Sequence, residues 1–113
     1  MTDTKAQIAF ELVNALRRLG AKQDLLEPLG SYHDTMEDEG VMRRLWKRNE
    51  ALGLGGDRLG TPDVEGGIQQ EIMIAARGLD APTELLRIID SWGGGQADEE
   101  VLRLLRKWNQ RER

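Results

Sequence analysis

The sequence predicts an all-α protein of six helices, built as a tandem duplication of a three-helix unit around one shared core. Three observations carry this. Apolar residues recur at three- and four-residue spacing over long stretches, no segment alternates apolar and polar residues as a half-buried strand would, and the chain resembles itself at an offset of sixty. Aligned without a gap, residues 11–50 and 71–110 are identical at fifteen of forty positions: Glu11, Ala15, Arg17, Leu19, Ala21, Leu25, Leu26, Ser31, Asp38, Glu39, Val41, Arg43, Leu45, Lys47 and Asn49 all recur. Composition alone would give roughly two or three such matches. The duplication implies internal pseudo-twofold symmetry, with unit one over residues 4–53, a connector over 53–60 and unit two over 61–113. Together they make a single domain, because either unit alone is too small to bury much apolar surface.

The first helix is predicted to begin after Thr4, which with Gln7 forms a Thr-x-x-Gln capping box. Ile8, Leu12, Leu16 and Leu19 then line one side, and Gly20 marks the stop. Its counterpart begins near Thr61 and Pro62, a cap residue followed by proline at the first helical position, and runs through Ile68, Ile72, Ala75 and Leu79. The second helix of unit one is expected over residues 21–31, where Pro28 should end or kink it by removing a backbone donor and crowding the preceding turn. In unit two, Asp80 is expected to cap the matching helix, Pro82 to fall in its first turn, and Leu85, Leu86, Ile89 and Trp92 to line one side. The third helix is expected from Thr35 to about Leu52, before Gly53, and its counterpart from about Ala97 to the C-terminus. Acidic residues crowd the first turns and basic residues the later ones, which complements the helix dipole and suggests Glu39–Arg43 and Glu99–Arg103 pairs.

Composition narrows the function classes. Of 113 residues, 39% are hydrophobic and 32% charged, a globular balance, and no run of eighteen apolar residues is present to span a membrane. The N-terminal residues lack a basic segment followed by an apolar one, so no secretory signal is read and a cytoplasmic location is expected. Cysteine is absent and histidine occurs once, which removes disulfides, thiolate chemistry and most ligands for soft metals. The net charge of −4 weighs against a surface that grips nucleic acid throughout.

Several patterns invite a chemical reading. The glycine-rich stretch at 53–60 resembles a phosphate cradle in composition, but no strand precedes it and no Gly-Lys-Ser/Thr follows, so it reads as a connector. His33 beside Asp34 has no second histidine, cysteine or nucleophile elbow to complete a catalytic site, and its repeat partner is Gly93. The clusters Glu37-Asp38-Glu39 and Asp98-Glu99-Glu100 lack the alternate spacing around a turn glycine that a calcium loop requires. No catalytic, cofactor-binding or metal-binding residue is assigned. Arg43, Arg44, Lys47 and Arg48, with Arg103, Arg106, Lys107 and Arg111, form two basic stripes. They read as solvated faces or, alternatively, as phosphate contacts to nucleic acid.

Asn49 and Asn109 fall on apolar arcs, the first among Val41, Met42, Leu45 and Leu52. Each is expected to bind backbone groups of a neighbouring turn, near Ser31 or Ser91. Phe10 falls off the core stripe, in line with Arg17, and with Val13, Met73 and Ile74 suggests a surface patch. Trp46 and Trp108 are two positions apart in the repeat alignment (LWKRN against LRKWN), so the halves differ where a large ring must go. The resulting expectation is a non-enzymatic protein–protein interaction module, an adaptor, inhibitor or regulatory subunit, acting as monomer or homodimer. Its anchors would be Phe10, Trp46 and Trp108, with Arg17 and Arg43 at the rim.

Overall fold

Residues 4–32, 38–54, 64–93 and 97–111 are described by the structure, a computed structural model. Among them the chain forms six helices and no strand: α1 (Thr4–Arg18), α2 (Gln23–Gly30), α3 (Asp38–Ala51), α4 (Val64–Gly78), α5 (Thr83–Gly93) and α6 (Asp98–Arg111). The bounds of α4 and α6 lie sixty residues beyond those of α1 and α3. The predicted connector falls mostly outside the described residues, as do His33, Asp34 and Thr35.

In α1 the predicted stripe is the buried face: Ile8, Leu12 and Leu16 are fully buried, and Ala9, Val13 and Ala15 widen it. Thr4 is the first helical residue rather than the residue before it. The helix stops at Gly20, whose φ of 92° is open to glycine at no steric cost. There the Gly20 N–H donates to Arg17 O (3.0 Å) and the Ala21 N–H to Leu16 O (3.1 Å), which satisfies carbonyls the helix leaves behind.

Asp80 does for α4 what Gly20 does for α1. It takes φ 57°, and the Ala81 N–H reaches Ala76 O at 3.1 Å. This corrects the expectation that Asp80 caps α5. A short polar side chain tolerates the left-handed region, and that preference is realised here in place of N-capping. Helix α5 starts at Thr83, and the carbonyl of Pro82 accepts the Leu86 N–H at 3.1 Å. Proline therefore stands just before the helix, where its missing N–H costs nothing.

Pro28 is buried and lies inside α2, which ends two residues later. The Ser31 N–H then donates to Glu27 O and Pro28 O, and the Ser31 hydroxyl to Glu27 O. At the matching position of α5 stands Ile88, which retains its N–H, and α5 has eleven residues to the eight of α2.

Each helix packs on its neighbours in sequence, and α6 returns to α1, so the six form a closed circuit. The most extensive contacts are α1 with α6 and α3 with α4. Both pairs run in broadly the same direction. Along α3 and α4, Asn49 meets Glu71 and, further on, Leu54 meets Gly78; along α6 and α1, Arg106 meets Gln7 and Asn109 meets Glu11. Buried side chains from all six helices join one apolar cluster. Within it the rings of Tyr32 and Trp92, sixty positions apart, lie 6.2 Å between centroids at 54°. The radius of gyration is 12.9 Å, against about 13 Å for a compact chain of this length.

Candidate interaction surface

Among the described residues, two asparagines on the inward faces of α3 and α6 are each met by a glutamate. The Asn49 Nδ2 donates to the backbone O of Glu71 at 3.1 Å and to its Oε1 at 2.9 Å. The Asn109 Nδ2 does the same with Glu11, at 3.1 and 2.8 Å. Both asparagines are buried, as is Glu71, while Glu11 is partly exposed. The burial agrees with the sequence expectation, but the partners do not. They lie on α4 and α1, not near Ser31 or Ser91. A helical wheel tells which residues face inward and says nothing about which helix they meet. A signal was present nonetheless, since Glu11 and Glu71 are the same residue at the sixty-residue offset and sit beside the apolar stripe.

The two pairs are finished differently. Arg48 Nη1 donates to Asn49 Oδ1 at 2.9 Å while its Nε lies 3.7 Å from Asp24. At the corresponding place before Asn109 stands Trp108, and Asn109 Oδ1 is buried with no donor among the described residues. The ends of α3 and α6 differ in the same way. Gly53 (φ 74°) turns the chain so that the Leu54 N–H caps Asn49 O at 2.8 Å. The Leu54 side chain lies over Gly78, where a Cβ would stand only 2.8 Å from it. Across α6 the residue matching Gly78 is Arg18, whose guanidinium donates to Asn109 O.

Of the predicted anchors, Phe10 is 63% and Trp46 44% exposed, while Trp108 is 4% exposed and belongs to the core. This removes Trp108 from the surface. Val13 and Met73 are also buried, so they do not extend the Phe10 patch, whereas Leu52, placed on the inward arc by the wheel, is 56% exposed. The Arg17 and Arg43 side chains are exposed and make no hydrogen bond or ion pair among the described residues. Phe10 borders a depression between α1 and α6 that Glu11, Asn14, Arg18, Arg106 and Asn109 also line. Trp46 lies on α3, so the two exposed rings belong to different helix pairs.

Most of the basic stripes are engaged with acids. Arg44 is 3.7 Å from Glu27, Arg106 is 3.8 Å from Glu11 and donates to Gln7 at 2.7 Å, and Arg111 pairs with Glu84. The expected Glu99–Arg103 pair is instead Glu100–Arg103, one turn apart at three residues. This contact holds the Glu100 carboxyl below its ordinary range, chiefly through the hydrogen bond from Arg103. Glu39 and Arg43 are not paired with each other among the described residues, and Gly40 stands where Glu100 would.

Among the described residues no helix is long and apolar enough to cross a membrane, and no three acidic, histidine or cysteine side chains gather as a metal site. No family model, curated protein sequence or solved structure matches this chain.

Proposed function

We propose that this chain is a duplicated helical scaffold whose work is to bind another protein, as an adaptor, inhibitor or regulatory subunit, without catalysis of its own. The observation that carries the reading is the exposure of Phe10 and Trp46, large rings that the fold leaves outside a core able to bury Tyr32, Trp92 and Trp108. Exposed aromatics edged by arginine are the residues in which interface energy concentrates. Phe10 has Arg17 two turns along α1, and Trp46 has Arg43 one turn back on α3.

The duplication is supported by the matched bounds of α1 with α4 and α3 with α6, and by the matched pairs Asn49–Glu71 and Asn109–Glu11. We take the two halves as copies related by a pseudo-twofold axis passing near Tyr32 and Trp92. The nucleic-acid reading loses ground, because five arginines of the stripes are already engaged with carboxylates.

Affinity capture from native lysate with wild-type bait, beside the surface variants Phe10→Ser and Trp46→Ser, tests the proposal. A defined protein retained by the wild type and lost with a variant that keeps its helical content and unfolding midpoint supports it. Undiminished capture by both variants, or recovery of nucleic acid without protein, contradicts it.

A further inference from the structure

We propose that the face each three-helix unit turns toward the other also fits the same unit of a second copy, so that two chains exchange units into a reciprocal dimer. The proposal goes beyond the partner-binding reading and rests on how the helices pair. The two largest contacts in the molecule, α1 with α6 and α3 with α4, both join one unit to the other. Within a unit, packing runs through the middle helix, α1 on α2 and α2 on α3, and likewise α4 on α5 and α5 on α6. A unit is thus an open run of three helices, completed only when a second unit is laid against it. The recognition groups are specific and reciprocal: Asn49 with Glu71, and Asn109 with Glu11. Nothing in these contacts requires the two units to belong to one chain.

What decides between closure within a chain and exchange between chains is the connection from α3 to α4. Because these helices run in broadly the same direction, Leu54 lies at the far end of α4, against Gly78. The chain must therefore travel back about 21 Å, the length of α4 at 1.5 Å per residue, to reach Val64. Nine residues, 55–63, make that journey, and fully extended they reach roughly 33 Å. Closure within one chain is feasible, and a tether of this length holds the units at an effective concentration on the order of millimolar. Exchange preserves every contact while changing only the connection, which is the condition under which domain swapping is inexpensive.

Removing residues 55–60 leaves three connecting residues with a reach of about 14 Å. That is short of the distance α4 imposes, so the shortened chain is expected to be a dimer by light scattering. Its helical content should equal that of the wild type. A companion chain with six Gly/Ser residues inserted after Gly56 should stay monomeric at the same concentrations. The unaltered protein, refolded from urea near millimolar concentration, should yield a dimer fraction that grows with concentration and persists on dilution. A shortened chain that is monomeric and fully helical overturns the proposal, because the units would then be joined in some other arrangement. One that loses its helices or aggregates at every concentration overturns it too, since pairing between chains would not then replace pairing within one. Partner capture depends on Phe10 and Trp46 and is scored separately, so failure here leaves that reading standing.

Discussion

At position 109 an amide oxygen is buried without a donor among the described residues, and the residue before it offers none. Arg48 completes Asn49 on α3, whereas Trp108 stands at the matching place on α6 and gives Asn109 Oδ1 no such donor. The two asparagines should therefore contribute unequally. Asn49→Leu removes one donor to the buried Glu71 carboxylate and the oxygen that accepts from Arg48 Nη1; losing buried hydrogen bonds to charged groups costs about 2–3 kcal/mol. Asn109→Leu faces a partly exposed Glu11 that solvent can satisfy, and removes an already unsatisfied oxygen, so about 1 kcal/mol is the expected loss. Urea unfolding of both variants checks this, and equal or inverted losses would contradict it. The tryptophans separate more widely. Trp108→Ala should cost about 3–5 kcal/mol as a cavity in the core, and Trp46→Ala no more than about 0.5 kcal/mol as a surface change. At the exposed pair, Arg103 lowers the Glu100 carboxyl below its ordinary range. A group whose folded pKa is lowered stabilises above its unfolded value and loses that contribution as pH falls through the folded one. Glu100→Gln should accordingly show a shallower loss of thermal midpoint between neutral pH and the acid side of the carboxylate range than the wild type. A profile of unchanged slope would mean that the pair does not persist in solution.

Among the elements, the ends of α1 and α4 show what a sequence reveals and what it leaves open. Gly20 and Gly53 were legible as stops, because few other residues take a positive φ without cost. Asp80 was not, since aspartate serves both as a helix cap and as a left-handed terminator, and only the fold selects between them. Substitution should expose the difference in opposite directions. Asp80→Gly should stabilise by up to about 1 kcal/mol by relieving the left-handed penalty, and Gly20→Ala should destabilise by about 1 kcal/mol by introducing it. Destabilisation by Asp80→Gly would instead indicate that the carboxylate makes a contact worth more than the strain. The stripe of α1, the early end of α2 shortly after Pro28 and the six-helix architecture were readable from period and proline chemistry. The partners of Asn49 and Asn109 were not, because periodicity fixes a face and leaves the opposing helix unknown. The candidate surface was legible in half. Phe10 stands off its stripe by simple counting. Trp46 and Trp108, however, stand two positions apart when α3 and α6 are set at the sixty-residue offset, about 200° around a helix of 3.6 residues per turn, so their fates are opposite. Their shared residue type concealed that difference, and it was the distance between their register positions that foretold it.

For the whole molecule, the consequence of a closed circuit is cooperativity. If α1 is completed by α6 and α3 by α4, neither unit keeps its buried face when the other opens, and the chain should unfold as one body. Two side-by-side domains would behave otherwise, each holding its own stability and opening independently. Native-state amide hydrogen exchange on the unaltered protein distinguishes these directly, through the slowest amides of the buried residues Leu12, Leu45, Ile72 and Leu105, one from each of the four helices in the inter-unit pairs. The account predicts that all four exchange only through global opening, with free energies agreeing within about 0.5 kcal/mol and equal to the stability from urea unfolding. Leu12 and Leu45 exchanging together through an opening more than about 1.5 kcal/mol cheaper than that of Ile72 and Leu105, or the reverse, would show one unit standing without the other and would contradict the account.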